Sequence, residues 1–398
     1  MDKLPKGWDY KRFGDIVYLR HGYQFRQFDF TESGIPVVKI GQCKENGTLD
    51  LTGCDFVSDS RINEFQDCLI KRGDLLMALT GGTLGKVTLV DKDYGTVFQN
   101  YRVGNFFPNE SFITKSFTRY VLLSDLFQNL VKSKVNQGAQ PNIGKENIDN
   151  MIIPLPPLSE QTRIVNKLDA LFSRIDKSIA LLEENINYTK ASLASVIEDI
   201  FNFTTKRIQI YDLVEKTKNI NPTSQQSIIY NYIDISSINN EKHKIEETKQ
   251  ISGKEAPSRA RKHVIKGDVL FATTRPNLKN IALLEQDYEN AVASTGFCVL
   301  RVNKGVSNNF LYLCLLSNNI QDQIKPKIRG AQYPAISDKD LFNCFIPDLE
   351  LETQIKLSNR ILKARLLLMK LLIEQQSKLT YLKALKASIL DKAFKGEL

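Results

Sequence analysis

The chain has 398 residues, a formal net charge of +9 and a sequence pI near 9.0. Its 42% hydrophobic and 25% charged content is that of an ordinary folded protein, and its length exceeds what one core usually organises, so two or more domains are expected. The basic excess favours a polyanion partner; no apolar run reaches the ~18–20 residues of a membrane span, so no membrane role is expected.

Along the chain, the opening MDKLPKGWDYKRFG lacks the apolar stretch of an export signal. IPVVKIG (35–41), DLLMAL (74–79) and KVTLV (86–90) read as strands, with turn signals at Glu45-Asn46-Gly47 and Gly81-Gly82. KSFTRYVLLSDLFQNLVKSK (115–134) reads as a helix. The mix predicts an α/β or α+β domain with a strongly bent sheet.

Pro154, Pro156 and Pro157 then hold the chain extended and bar a helix before them. Ser159 stands as an N-cap, with Glu160 facing the helix dipole. Apolar residues follow at Ile164, Leu168, Leu171, Ile175, Ile179, Leu182, Ile186, Leu193, Val196 and Ile200, with Thr189 filling the one gap. That is a heptad seam with one stutter, and at ~1.5 Å per residue it predicts a rod of roughly 60 Å.

The pattern returns about 193 residues later. RGDLLMALT at 72–80 is echoed by KGDVLFATT at 266–274, and GAQPNIGKENIDNMIIP at 138–154 by GAQYPAISDKDLFNCFIP at 330–347. GDIV (14–17) and VVKIG (37–41) return as YDLV (211–214) and YIDIS (232–236). A collinear series of this kind is a duplication. Further strands are DVLFAT, IALLE and FCVLRV; NNFLYLCLLSNNIQDQI (308–324) is a helix. The second rod, roughly 352–394, keeps only Pro347 at its entrance and runs through Leu362, Leu368, Leu372, Leu379, Leu382, Leu385 and Ile389. Two rods in one chain bury their seams most economically against each other, antiparallel, with an approximate two-fold.

Catalytic motifs are missing. His21, His243 and His263 have neither metal-ligand spacing nor a nucleophile motif around them. TGGTLGKV (80–87) misses the phosphate-loop spacing by one residue and has Val87 where a hydroxyl belongs. The six cysteines form no C-x-x-C and read as small, reduced hydrophobes of a cytosolic protein. Local basic character is what remains. Residues 254–279 hold seven Lys/Arg against Glu255 and Asp268, and Lys132 and Lys134, then Lys325, Lys327 and Arg329, precede the two Gly-Ala-Gln turns. Lys and Arg neutralise phosphates, while Gln and Asn pair with adenine edges.

On chemistry, the expected DNA contacts of the first copy are Arg20, Gln24, Arg26, Lys39, Thr80, Lys86, Gln99, Asn100, Arg102, Gln137, Gln140 and Asn142. Those of the second are Lys254, Arg259, Arg261, Lys262, Thr274, Arg275, Asn277, Lys279, Arg329 and Gln332.

IPLPPLSEQTRIVNKLDALFSRID (153–176), the twofold GAQ…IP, GDLLMALTGG, TTRPNLKNIALL with ASTGFCVLR, and the ending LKASILDKAFKGEL together resemble the specificity subunit of type I restriction–modification systems. The resemblance spans the chain. It implies a mixed α+β fold: target-recognition domains at 1–155 and 204–346, and long helices at 156–203 and 347–398 packed as an antiparallel coiled coil. It implies a non-catalytic, cytoplasmic reader of split double-stranded DNA, with the helices setting the spacer. Partners would be two modification subunits and, through them, restriction subunits. S-adenosylmethionine, ATP and Mg would sit on those partners, with no cofactor in this chain. Docking would fall at Pro154, Pro156, Pro157, Leu158, Glu160, Gln161 and Pro347. The second entrance departs from the first, with Asp348-Leu349-Glu350 for Leu155-Pro156-Pro157. Open alternatives are an S-like subunit of a fused restriction–methylation enzyme, an orphan subunit, and a coiled-coil scaffold with two protein-binding heads.

Overall fold

The computed structural model describes residues 4–44, 47–135 and 141–398. The chain divides into two compact units: Met1–Leu182 with Lys378–Leu398, and Glu183–Ser377.

Both units repeat one plan. In the first, an antiparallel sheet runs in the order Val17–His21, Val103–Pro108, Leu75–Ala78, Val87–Leu89. Its counterpart runs Val214–Glu215, Phe297–Val302, Val269–Ala272, Ile281–Leu283. Each unit adds a second four-stranded sheet containing one parallel pair: Ile35–Val38 beside Phe98–Gln99, and Ile229–Ile233 beside Ala291–Ser294. The expected bent sheet is thus two sheets. The repeated Gly-Asp has a structural reason. The carboxylates of Asp74 and Asp268 accept the backbone N–H of Lys71 (3.0 Å) and Ile265 (2.9 Å), closing the tight turn into the central strand.

The two expected mid-domain helices are each broken once. Lys115–Leu123 stops at Ser124 and Asp125–Ser133 begins there; Asn308–Leu316 and Asn318–Ile324 meet at Ser317. Each serine hydroxyl donates back to a carbonyl of the first helix (Val121 or Cys314, both 2.7 Å) and accepts the N–H of Phe127 or Ile320 in the second. A hydroxyl that caps both sides outcompetes continuation of the helix.

The long helices are Leu158–Asn202 and Leu351–Phe394, each about 65 Å at ~1.5 Å per residue. The first begins one residue before the expected Ser159 cap: Pro157 O accepts the N–H of both Glu160 and Gln161 at 2.9 Å. Every seam position from Ile164 to Ile200 is buried or half-buried. In the first unit the two helices run antiparallel: Arg163 donates to Leu398 O (2.7 Å), while Asp176 pairs with Lys386 (2.6 Å). Ile164, Leu168, Phe172 and Ile175 share the core with Leu390 and Phe394, beneath Phe13, Phe106, Phe117 and Phe127. In the second unit Ile197, Ile200 and Phe201 share a core with Leu357, Ile361, Phe271 and Phe310. Strands Ile152–Leu155 and Phe345–Pro347, each paired to an N-terminal strand of its unit, deliver the chain to the helices.

Candidate nucleic-acid interface

The turn after each central strand is fixed by the same hydrogen bonds in both units. In the first, Ala78 N donates to Lys86 O, Leu79 N to Arg102 O, Gly81 N to Pro141 O and Ile143 N to Leu79 O, at 2.8–3.0 Å. In the second, Ala272 N donates to Asn280 O, Thr273 N to Gly296 O, Arg275 N to Pro334 O and Ile336 N to Thr273 O, at 2.7–3.0 Å. Three chain segments are knotted chiefly by backbone, with the Thr273 hydroxyl adding a bond to Gly296 O (3.0 Å) in the second unit, which leaves most side chains around the knot free to differ.

In the second unit this junction gathers Thr274, Arg275, Asn277, Lys279, Arg329 and, a few residues along the same loop, Gln332. Arg329 and Ala335 exchange two backbone hydrogen bonds of 2.9 Å, so the loop between them is pinned. Arg275, Asn277, Arg329 and Gln332 are exposed. Lys279 is spent internally: its ammonium donates to Leu316 O and Asn318 Oδ1, both at 2.9 Å, and burial pushes its pKa down.

In the first unit the junction gathers Thr80, Lys86, Arg102 and Asn142, and the hydroxyls of Thr80 and Thr83 are buried there with no hydrogen-bond partner among the described residues. Arg102 bonds Tyr101 (2.8 Å). Gln137 and Gln140 lie outside the described residues.

Other expected contacts stand elsewhere. Gln24 and Arg26 are exposed on the turn before Gln27–Asp29. Gln99 is fully buried, accepting from Arg20 (2.9 Å) and donating to Val103 O (2.7 Å). Asn100 is buried and accepts the Arg102 N–H. Lys39 pairs with Asp55. Lys254 is exposed, while Arg259 pairs with Asp234 (2.8 Å), whose charge raises the guanidinium pKa. Arg261 bonds Ser258 O (2.9 Å) and Asn221, and Lys262 pairs with Asp338 (3.1 Å). Lys39, Arg259, Arg261 and Lys262 therefore bond within their own unit.

Of the residues expected to dock partners, Pro157 and Leu158 are exposed and Glu160 is partly so, while Pro154, Pro156 and Pro347 are buried. Gln161 is 0% exposed. Its amide accepts Thr114 N (2.8 Å) and donates to Phe112 O (2.8 Å) and Pro156 O (3.0 Å). Its counterpart Gln354 accepts Ser307 N (2.9 Å) and donates to Leu349 O (2.7 Å). The glutamine common to SEQ and ETQ is an internal clamp: it ties each long helix to the N-cap residue of a domain helix. Two exposed features had no place among the sequence expectations: the phenyl of Phe28, 85% exposed, and Tyr333, 66% exposed beside Arg275. For Tyr333 the available signal was a lone aromatic inside a polar stretch; Phe28, among Tyr23, Phe25 and Phe30, had none.

Two copies of one α+β module, each built onto segments of two long helices and each carrying the same backbone-bonded turn ringed by polar side chains, define an internally duplicated protein. The chain belongs to the family described as the type I restriction modification DNA specificity domain, whose family model matches twice, at residues 5–187 and 195–364. It is 25% identical over 438 residues to the type I restriction enzyme EcoKI specificity subunit of Escherichia coli strain K12, covering 100% of this chain and 90% of that protein. It is 26% identical over 178 residues to the MjaVIII specificity subunit of Methanocaldococcus jannaschii, covering 44% of this chain and 41% of that one. The match to the EcoAI specificity subunit of E. coli spans only 33% of its relative. Among solved structures, a chain from work on complex assembly and conformational transition of the type I R-M system has a TM-score of 0.76 at 21% identity, each chain covered over 100% of its length. The HsdS subunit from Thermoanaerobacter tengcongensis gives 0.58 at 20%, over 100% of this chain and 99% of that one.

Proposed function

We propose that this chain is the DNA sequence-recognition subunit of a type I restriction–modification complex. Residues 1–155 and 204–346 each read one half of a split double-stranded target, and the helices at 156–203 and 347–398 set the spacer. The observation that carries this reading is the duplicated backbone knot. Its frame is the same in both units while its side chains differ, as two half-sites of different sequence require. Arg275, Asn277, Arg329 and Gln332 supply the donors for phosphates and base edges in one unit, and Arg26, Gln24, Lys86 and Asn142 in the other. The chain does no catalysis of its own. Modification subunits carrying S-adenosylmethionine dock on it, and restriction subunits join through them. Exposed apolar residues on the second helix, Leu366, Leu367, Leu371 and Ile373, together with Leu158 at the first helix entrance, suit that docking.

The test is to co-express the chain with its modification subunit in a host lacking such a system and map N6-methyladenine. Methylation at one split motif, with one half changing when residues 1–155 are exchanged, is the expected result. Purified chain that methylates or cuts DNA unaided, or a chain with no salt-dependent DNA affinity in the assembled complex, would overturn it.

A further inference from the structure

The second unit holds four non-glycine residues in the left-handed region: His243 (φ 54°), Arg275 (49°), Lys279 (50°) and Asn290 (49°). The first unit has glycine near every corresponding position: Gly47 (79°), Gly81 (74°), Gly85 (84°) and Gly95 (73°). For Arg275 and Lys279 the correspondence is fixed by the shared knot, since Gly81 N bonds Pro141 O as Arg275 N bonds Pro334 O. A side chain at such an angle is strained where glycine is not.

Three of the four have a reason inside the fold. His243 hydrogen-bonds Lys279 O through Nδ1 (3.1 Å), and its own carbonyl accepts from Tyr312 (3.0 Å). Lys279 grips Leu316 O and Asn318. Asn290, of a type that tolerates this region, donates to Ile229 O (3.1 Å). Arg275 has none. Among the described residues its guanidinium makes no hydrogen bond and no ion pair; it lies 5.8 Å from the centre of the exposed Tyr333 ring and faces solvent. The loop carrying Tyr333 is pinned at both ends by the Arg329–Ala335 bonds. A strained residue held by its surroundings and unused by the fold points to function.

Resting on the DNA-recognition reading above, we propose that Arg275, braced by Tyr333, is a base-reading residue that fixes one guanine in the half-site of the second unit. The guanidinium fork donates to O6 and N7 of guanine in the major groove, and the ring behind it limits its rotation. The first unit, with Gly81 at this place, has no side chain there and reads its half-site by other residues.

The experiment selects bound sequences from a random duplex pool with the full chain assembled on its modification subunits. Arg275→Gly installs the residue the first unit already uses, so the fold survives, as circular dichroism and amide hydrogen exchange over 266–300 report. We expect the guanine preference at one position of one half-site to fall about 5- to 150-fold, with the other half-site unchanged. Arg275→Lys, which keeps charge and loses the fork, should relax the same position. Tyr333→Ala should loosen it less and nowhere else. A uniform fall in affinity across all sequences, with a shallower salt dependence, would make Arg275 a phosphate contact and overturn the proposal. So would an unchanged motif. If the wild-type complex selects no motif at all, the recognition reading itself fails, which is a separate outcome.

Discussion

Gln161→Ala tests the claim that the repeated glutamine is an internal clamp. The substitution removes one acceptor from Thr114 N–H and two donors from Phe112 O and Pro156 O, at 2.8, 2.8 and 3.0 Å. The site is fully buried, so water does not readily replace the amide. At about 1 kcal/mol for each lost bond, rising where a group is left unpaired, the cost is about 3–4 kcal/mol. Gln354→Ala breaks two bonds of 2.9 and 2.7 Å and should cost about 2–3 kcal/mol.

The two units have separate cores, so one melting temperature does not report both. Amide hydrogen exchange on the full chain does, because protection is read segment by segment. Gln161→Ala should lose protection over 112–121 and spare 305–315, and Gln354→Ala should do the reverse. Gln161→Glu sharpens the test. It keeps the acceptor but turns an oxygen anion toward two carbonyls, so at neutral pH it should destabilise more than alanine and recover partly in acid. A cost under 1 kcal/mol, or protection lost equally in both units, would refute the clamp.

Two further outcomes follow from buried charge in the second unit. Asp268 is 1% exposed and held bidentately by Arg301 at 2.9 and 2.8 Å; Arg301→Ala leaves that carboxylate, among the described residues, with only the Ile265 N–H and should cost about 3–5 kcal/mol, read from urea unfolding. Burial, followed by the charge of Arg365, pushes the His243 pKa down from 6.5 to about 4. The imidazole is therefore neutral when folded and takes up a proton more readily when unfolded, so stability is full above pH 6.5 and drains as pH falls towards 4, by up to about 3 kcal/mol. His243→Asn, which tolerates the left-handed backbone, should flatten that slope in exchange of residues 240–245; a slope that persists would assign it to other groups.

Much of the fold was legible because its signals are repeated. The duplication, the seam from Ile164 to Ile200 and the proline entrances were all readable from residue type and spacing, and the structure buries the seam as the spacing requires; the repeated Gly-Asp was readable as a repeat but not as a turn. What failed depended on single hydrogen bonds. Ser124 and Ser317 look like ordinary residues within an apolar run, and only their double caps reveal two helices in place of one. Gln161 stands in the most conspicuous motif, yet its burial is not legible there, because a motif shows that a residue matters and not which way it faces. Among the basic residues, sequence could not separate Arg259 and Lys262, held by Asp234 and Asp338, from Arg275, which has no such partner among the described residues. Aligning TGGTLGKV (80–87) with TRPNLKNI (274–281) would have set Arg275 against Gly81 and Lys279 against Gly85. The strain was therefore visible in principle once the turn was known to be shared.

The pattern of divergence carries the last step. Side chains inside the frame share one bond through the duplication: Asp74 and Asp268 each accept the N–H three residues back, Ser124 and Ser317 each accept the N–H of the following helix, and Gln161 and Gln354 each accept the N–H of a domain-helix N-cap residue. Side chains at the knotted turn did not, although its backbone bonds are the same to within a few tenths of an ångström. Had the turn served only folding, the second unit would gain by keeping glycine at 275, since a left-handed non-glycine residue costs about 1–2 kcal/mol. A frame that holds still while its rim changes, even at a cost in strain, is what a module needs in order to acquire a new ligand without refolding. Exchanging the rim alone, residues 274–278 and 329–334 of the second unit for those of a relative, should move one half of the recognised motif and leave both units folded.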